Sequence, residues 1–482
     1  MNTSAKNSGK HRCGGITIVD TPTFYLPDHM HKCSRTCKDR YMSEHLSITS
    51  AEQQSALLTL PWNIPLAQWP KELLASLPRG ISRHVVRFVQ LNGHILAVKE
   101  ITDQAAQNEY YALRTLARKG APCVEPVAAV TGRHDAQGNP LPGALVTRHL
   151  AFALPYRILF AQAAMRPETT NRLIGALAVL MVRLHLLGFF WGDVSLSNTL
   201  FRRDAEEFSA YLVDAETGEF YPDISPGRRQ YDIEVASVNI VGELLDLQAG
   251  GVVPESFDVL RVGTYFENLY NSLWAELTNT ETFSAQDRWK IDSRIRRLND
   301  LGFDVGELTI TTSGTNGNET ITIKPRIVDA GHYSRKIMQL TGLDVQDKQA
   351  RRMLNSIEQY KVTNHLNGIP MSLVAHSWMT EIFEPVVRSI PKELRGKLEP
   401  AQVFHELLDH RWFMAEKAGH DIPLHEAIDS YVRDVLRHKP DESYLTGPAP
   451  GETGEFDAVK AQQDFAARFH EDFDDDWSGY LA

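Results

Sequence analysis

The chain has 482 residues, 43% apolar and 23% charged, enough for two or three domains with a sizeable core. Its net charge is −11, and the stretch from Gly451 to Ala482 holds nine acidic residues against two basic ones. The remaining body is only mildly acidic, which argues against general nucleic-acid binding. The longest apolar run, Leu173 to Val182, is about half of what a membrane span requires. No basic, apolar, small-residue leader opens the chain, so neither a span nor secretion is expected. Of the four cysteines, Cys13, Cys33 and Cys37 fall in the first 41 residues and Cys123 stands apart. That distribution does not suit a disulfide framework and points to a reducing, cytoplasmic setting.

Residues 1–41 are basic, rich in Ser, Thr, Lys and Cys, and show no repeating apolar face. They read as an extension that reaches about residue 55. His29, His31, Cys33 and Cys37 offer zinc donors, but Cys-x3-Cys without a second spaced pair is a weak signal. His84–Leu91 and His94–Ile101 read as two strands joined at Asn92-Gly93, a turn in which both residues tolerate positive φ. A helix is predicted from Asp103 to Lys119, capped by Thr102 or Asp103 and ended by Gly120 and Pro122. Val124–Val130 and Ala144–Thr147 read as further strands, and a long helix follows from about Thr170 to Leu187. Strands first and helices second is an α+β order with two lobes. Beyond residue 255 the pattern is mostly helical, with one hairpin of Leu308–Thr312 and Thr320–Ile323 around Asn316-Gly317. A strongly amphipathic helix is predicted over Leu424–Leu436. Pro440 and the Gly/Pro-rich stretch from Thr446 to Gly454 then lead into the acidic tail.

The chemistry concentrates in His185-Leu-Leu-Gly188-Phe-Phe-Trp191-Gly192-Asp193-Val-Ser195-Leu-Ser-Asn198. This segment resembles the kinase catalytic loop, in which an Asp is followed five residues later by an Asn. There the Asp orients the attacking hydroxyl and the Asn oxygen ligates magnesium. One short loop must aim both groups at the same phosphate. Twenty-one residues after Asp193, the apolar strand Tyr211-Leu-Val ends in Asp214-Ala215-Glu216. It resembles the metal-binding strand end of kinases, with Asp214 as the metal ligand and Glu216 as a second metal or substrate contact. Leu96-Ala-Val-Lys99 resembles the strand that bears the nucleotide lysine, and Glu109 on the next helix is its expected ion-pair partner. The phosphate-covering loop matches least: Gly80 and Ser82 stand where protein kinases carry three glycines.

Departures from protein kinases narrow the acceptor. Trp191-Gly192 replaces the dipeptide whose Arg reads a phosphorylated activation loop, and Ser195 replaces a Lys that contacts the transferring phosphate. A helix is expected to begin near Asp232, leaving little chain for a peptide platform. Arg228 and Arg229 sit where substrate could enter, either to bind an anion or to form structural ion pairs. His405 and His410 lie five apart on one predicted helix, which puts them on different faces and argues against zinc.

The pattern resembles the lipopolysaccharide-kinase branch of the protein-kinase-like superfamily. It is more closely similar to an actinobacterial family catalogued as domain of unknown function 4032, through Arg296–Val305 and His410–Glu416. The resemblance implies a bilobal kinase fold followed by a mostly helical C-terminal region with one β-hairpin. The expected domains are 1–55 (disordered extension), 56–255 (kinase-like, N-lobe about 75–148 and C-lobe about 149–255), 256–445 (helical) and 446–482 (acidic tail). The expected activity is ATP- and Mg2+-dependent phosphotransfer to a small-molecule or glycan hydroxyl. A pseudokinase that binds nucleotide or a partner without turnover is the alternative. A protein partner would dock through the C-terminal region or the acidic tail.

Overall fold

A computed structural model of the chain describes residues 12–13, 16–20, 46–50, 55–75, 84–162, 167–278, 281–284, 303–304, 307–313, 320–326 and 329–442. Gly80, Ser82, the histidine–cysteine cluster of residues 29–37, Asn316-Gly317 and the acidic tail lie outside them.

The N-lobe is a seven-stranded sheet. In chain order its strands are β1 (Arg12–Cys13), β2 (Ile16–Asp20), β3 (Ser47–Ser50), β4 (Val86–Leu91), β5 (His94–Ile101), β6 (Pro126–Thr131) and, after a small hairpin of β7 (Arg133–His134) and β8 (Pro140–Leu141), β9 (Gly143–Arg148). The spatial order is β1-β2-β3-β6-β9-β5-β4. β1, β2 and β3 fall inside the stretch expected to be a disordered extension and are instead strands, β2 pairing parallel with β3 and β3 antiparallel with β6 through Ser47↔Thr131 to Ser50↔Ala128. Ser-Ile-Thr-Ser carries one large apolar side chain, too little for a periodicity reading, yet Ile48 is 3% exposed. The β4–β5 turn has Asn92 at φ +50° and Gly93 at φ +79°, as the Asn-Gly signal requires. Arg133, 1% exposed, donates to the carbonyls of Trp62, Ile64 and Pro142 and pairs with Glu100 at 2.9 Å. It thereby pins residues 55–75, with Leu57, Trp62 and Trp69 of the lobe's core, against the sheet.

Helix α1 (Asp103–Arg118) lies between β5 and β6 in the chain, with Thr102 Oγ1 accepting from Ala105 N at its N-terminus. Its buried stripe is Ala106, Glu109, Tyr110, Leu113 and Leu116. The periodicity is helical, and the one charged member, Glu109, is the residue that needs explaining.

The C-lobe adds β10 (Ala153–Pro155), α2 (Tyr156–Gln162), α3 (Pro167–Leu186), β11 (Phe189–Phe190), β12 (Thr199–Asp204), β13 (Glu207–Leu212), β14 (Glu219–Phe220), α4 (Pro226–Ala249) and α5 (Val259–Thr278). β10, β12 and β13 form one small sheet, and β11 pairs with β14. Helix α4 starts at Pro226, six residues ahead of the expected start near Asp232. Ser225 accepts from Arg228 N, and Pro226 occupies the first turn, where its missing N–H costs nothing. Helix α5 lies past the expected boundary at residue 255 and buries Val262, Phe266, Tyr270 and Leu273 in the C-lobe core with α3 and α4. A third core, built from Ile337, Met353, Trp378, Phe404, Tyr431 and their neighbours, belongs to the C-terminal helices. The expected hairpin is present as Glu307–Ser313 paired antiparallel with Thr320–Arg326.

Candidate active site

Lys99 points from β5 into a cluster of carboxylates. Its Nζ lies 3.0 Å from Glu109 Oε2, 2.8 Å from Asp214 Oδ2 and 3.7 Å from Glu216 Oε2. Burial alone would lower the Lys99 pKa, but Glu109 and Asp214 overcome it and hold the ammonium above its ordinary value. Glu109, fully buried, is pushed up to about 7, first by burial and then by Asp214, against the pull of Lys99. Glu109 Oε1 also accepts from Ala215 N at 3.2 Å, which ties α1 to the strand end that carries Asp214. This is why a charge sits in the apolar stripe of α1.

Asp214 Oδ1 accepts from Glu216 N at 3.1 Å, and Glu216 Oε2 lies 3.1 Å from His84 Nε2. Among the described residues, Glu109, Asp214 and Glu216 are the group whose ligand atoms come within 4.8 Å of one another. These three carboxylates form an all-oxygen donor set that fits a hard divalent cation such as magnesium.

The catalytic-type loop lies directly beside this cluster. Trp191 Nε1 donates to Asp214 O at 2.8 Å, and Val213 N donates to Asn198 O at 3.1 Å. Asn198 Nδ2 donates to Asp193 O at 2.9 Å and to Asp193 Oδ2 at 3.2 Å, so the two motif residues face each other across the turn. Ser195 Oγ accepts from Asn198 N at 3.1 Å and lies 3.1 Å from Ser197 Oγ. It stiffens the loop, a role different from that of the Lys it replaces in protein kinases.

One face of α4 holds this loop by its backbone. Asp232 accepts from Trp191 N and Gly192 N, both at 2.8 Å, and from His185 Nε2 at 3.0 Å. Asn239 Nδ2 donates to Val194 O at 2.9 Å. Glu243 accepts from Leu196 N at 2.7 Å and Ser197 N at 2.9 Å, and burial raises its pKa against those bonds. Positions 232, 239 and 243 recur at helical spacing on one side of α4. The sequence reading used Asp232 only to mark a helix start and missed Asn239 and Glu243. A Glu, Asn and Asp aligned on an otherwise apolar buried face was the signal. Of the two arginines left open, Arg228 stacks over Tyr221 at 3.9 Å and Arg229 over Trp274 at 4.0 Å. His405 is buried and His410 Nε2 lies 2.9 Å from Ser430 Oγ.

A β-rich lobe over a helical lobe, with a lysine–glutamate pair facing a strand-end aspartate and an Asp-x4-Asn loop, is an arrangement of the protein-kinase-like class. Residues 90–222 match the model of the lipopolysaccharide kinase (Kdo/WaaP) family, and residues 272–436 match the domain of unknown function DUF4032. Among solved structures, one described as WaaP in complex with acyl carrier protein aligns with 48% of this chain and 90% of its own. The identity is 16% and the TM-score 0.30. No curated protein matches the chain. Among the described residues, no helix is long and apolar enough to cross a membrane.

Proposed function

We propose that the chain is an ATP- and magnesium-dependent phosphotransferase that phosphorylates a hydroxyl of a small molecule or glycan. The observation that carries this reading is the convergence of Lys99, Glu109 and Asp214 beside the loop bearing Asp193 and Asn198. Lys99, held charged by Glu109, anchors the nucleotide phosphates. Asp193 accepts the proton of the acceptor hydroxyl as it attacks. Asp214, Asn198 and Glu216 would hold magnesium, which supplies positive charge to the transferring phosphate. Gly80 and Ser82 offer backbone N–H groups to the phosphates in this reading. The match to a lipopolysaccharide kinase family supports a sugar-like acceptor. The cysteine distribution supports a reducing, cytoplasmic location, with any protein partner meeting the C-terminal region or acidic tail.

A pseudokinase is the second reading, favoured by the lone Gly80 of the phosphate-covering loop and by Trp191-Gly192 in place of the His-Arg that precedes the catalytic Asp of protein kinases. Paired measurements separate the two: ATP–magnesium affinity by titration, and phosphate transfer or slow ATP hydrolysis by turnover. The phosphotransferase reading requires Asp193→Asn to bind nucleotide like the wild type. Its turnover should fall by about 10²–10⁴-fold. Asp214→Asn should lose both binding and turnover. A wild type that binds ATP yet transfers to neither water nor any acceptor supports the pseudokinase.

A further inference from the structure

We infer that the C-terminal helical domain is a positioning element of the phosphotransfer site, acting through the β12–β13 hairpin; this rests on the phosphotransferase reading. The hairpin joins the two halves of the site. β12 begins at Thr199, next to Asn198, and β13 ends at Leu212, two residues before Asp214. The ladder runs unbroken from Thr199↔Leu212 at the base to Asp204↔Glu207 at the tip. β10 pairs with the other edge of β12, so β12 is held on both sides. A displacement at the tip therefore reaches Asn198 and Asp214 together.

The C-terminal domain grips that tip by polar side chains. Asp204 Oδ1 accepts from Gln349 N at 2.9 Å, in the first turn of helix Asp347–Thr363. Gln349 Nε2 donates to Arg203 O at 3.2 Å and to Gln402 Oε1 at 3.0 Å, and Gln402 Nε2 donates to Ala205 O at 3.1 Å. Arg202 pairs with Glu399 at 2.6 Å and Arg203 with Glu442 at 2.8 Å. Gln349 is fully buried, and Asp204 and Gln402 are each 3% exposed.

An apolar contact of the same size would hold the two domains together with no directional demand. A buried polar network loses its value unless every donor meets its acceptor, so it fixes one geometry. The carbonyls of residues 203 and 205 are gripped, which sets the height and tilt of the hairpin backbone itself. Gln349 and Gln402 are thus positioning residues, acting on the site through the hairpin without touching it.

Hydrogen exchange in the full chain, without nucleotide, tests this directly. Gln349→Ala with Gln402→Ala should raise exchange about tenfold at residues 193–198 as well as at 202–209, with the far-ultraviolet circular dichroism unchanged. Affinity for magnesium–ATP should fall by about tenfold in the same variant. Arg352→Ala cuts a half-exposed contact of the hairpin turn with Glu206 and a surface pair with Asp409, touches neither Gln349 nor Gln402, and should leave residues 193–198 as in the wild type. An increase confined to residues 202–209 overturns the inference, because the network would then be local adhesion. Should the double variant fail to fold, the single change Gln402→Ala, which removes the bond to Ala205 O and the acceptor of Gln349 Nε2, must still raise exchange at residues 193–198. Because exchange is read without nucleotide, its outcome is separate from failure of the phosphotransferase reading, which shows as no binding of magnesium–ATP by the wild type.

Discussion

Replacing Asp232 by alanine should be among the most damaging single changes in the C-lobe. The carboxylate is 0% exposed and accepts three bonds, from Trp191 N, Gly192 N and His185 Nε2. Alanine orphans two buried backbone donors and a buried ring nitrogen. Each unsatisfied group costs about 1–3 kcal/mol, so the loss is roughly 3–9 kcal/mol before relaxation. Against this stands the recovered desolvation of a buried carboxylate, worth several kcal/mol when the charge is poorly satisfied. Three acceptor bonds satisfy Asp232 well, so the orphaned donors should win, with a net cost of about 3 kcal/mol. That is a large share of a stability of about 5–15 kcal/mol. Asp232→Asn keeps one acceptor oxygen but turns an NH2 toward an N–H, and should fall between alanine and wild type. Urea unfolding followed by tryptophan fluorescence reads the effect, since Trp191 is 1% exposed and donates directly to Asp232. A midpoint shift equivalent to less than about 1 kcal/mol for Asp232→Ala would refute the reasoning and show that desolvation outweighs the hydrogen bonds.

Gly188 sits at φ +80°, and a β-carbon there would lie 2.2 Å from Tyr221 O, which a side chain cannot meet without moving β14. Gly188→Ala should cost about 2–3 kcal/mol by thermal melting, since positive φ and overpacking each cost on the order of 1 kcal/mol or more; an unchanged melting temperature counts against it. His405 is 2% exposed, and its pKa is depressed to about 4, first by burial and then by Arg352. A depressed histidine adds stability that is full above its unfolded value of about 6.5 and is lost as pH falls toward 4. The lost contribution is about 3 kcal/mol. His405→Asn should therefore lose less stability than the wild type between pH 6.5 and 4, and parallel profiles would exclude His405 as the source.

Much of the N-lobe was legible because its signals are local. Asn92-Gly93 fixes a turn by φ alone, and Thr102, Gly120 and Pro122 bracket α1 by capping chemistry. The order of Lys99, Glu109, Asp193, Asn198 and Asp214 could be read because a kinase-like loop keeps a fixed spacing; the structure pairs Lys99 with Glu109 and Asp214, and Asn198 with Asp193. What was not legible depends on distant partners. β3 exists because Ile48 finds a sheet edge about eighty residues downstream, which a short Ser-Ile-Thr-Ser run does not announce. The early start of α4 was hidden because Pro226 reads as a breaker until Ser225 is recognised as its cap. Asn239 and Glu243 look like ordinary polar helix residues until their backbone partners, more than forty positions upstream, are known.

The partners of the β12–β13 turn also set a timetable for synthesis. Arg202 waits for Glu399, 197 residues later, and Arg203 waits for Glu442, 239 residues later. α5 completes the C-lobe core by residue 278, so that lobe can collapse on the ribosome while its hairpin still faces water. Chain termination anywhere between α5 and Glu442 would release a lobe that has folded but whose hairpin remains unbraced.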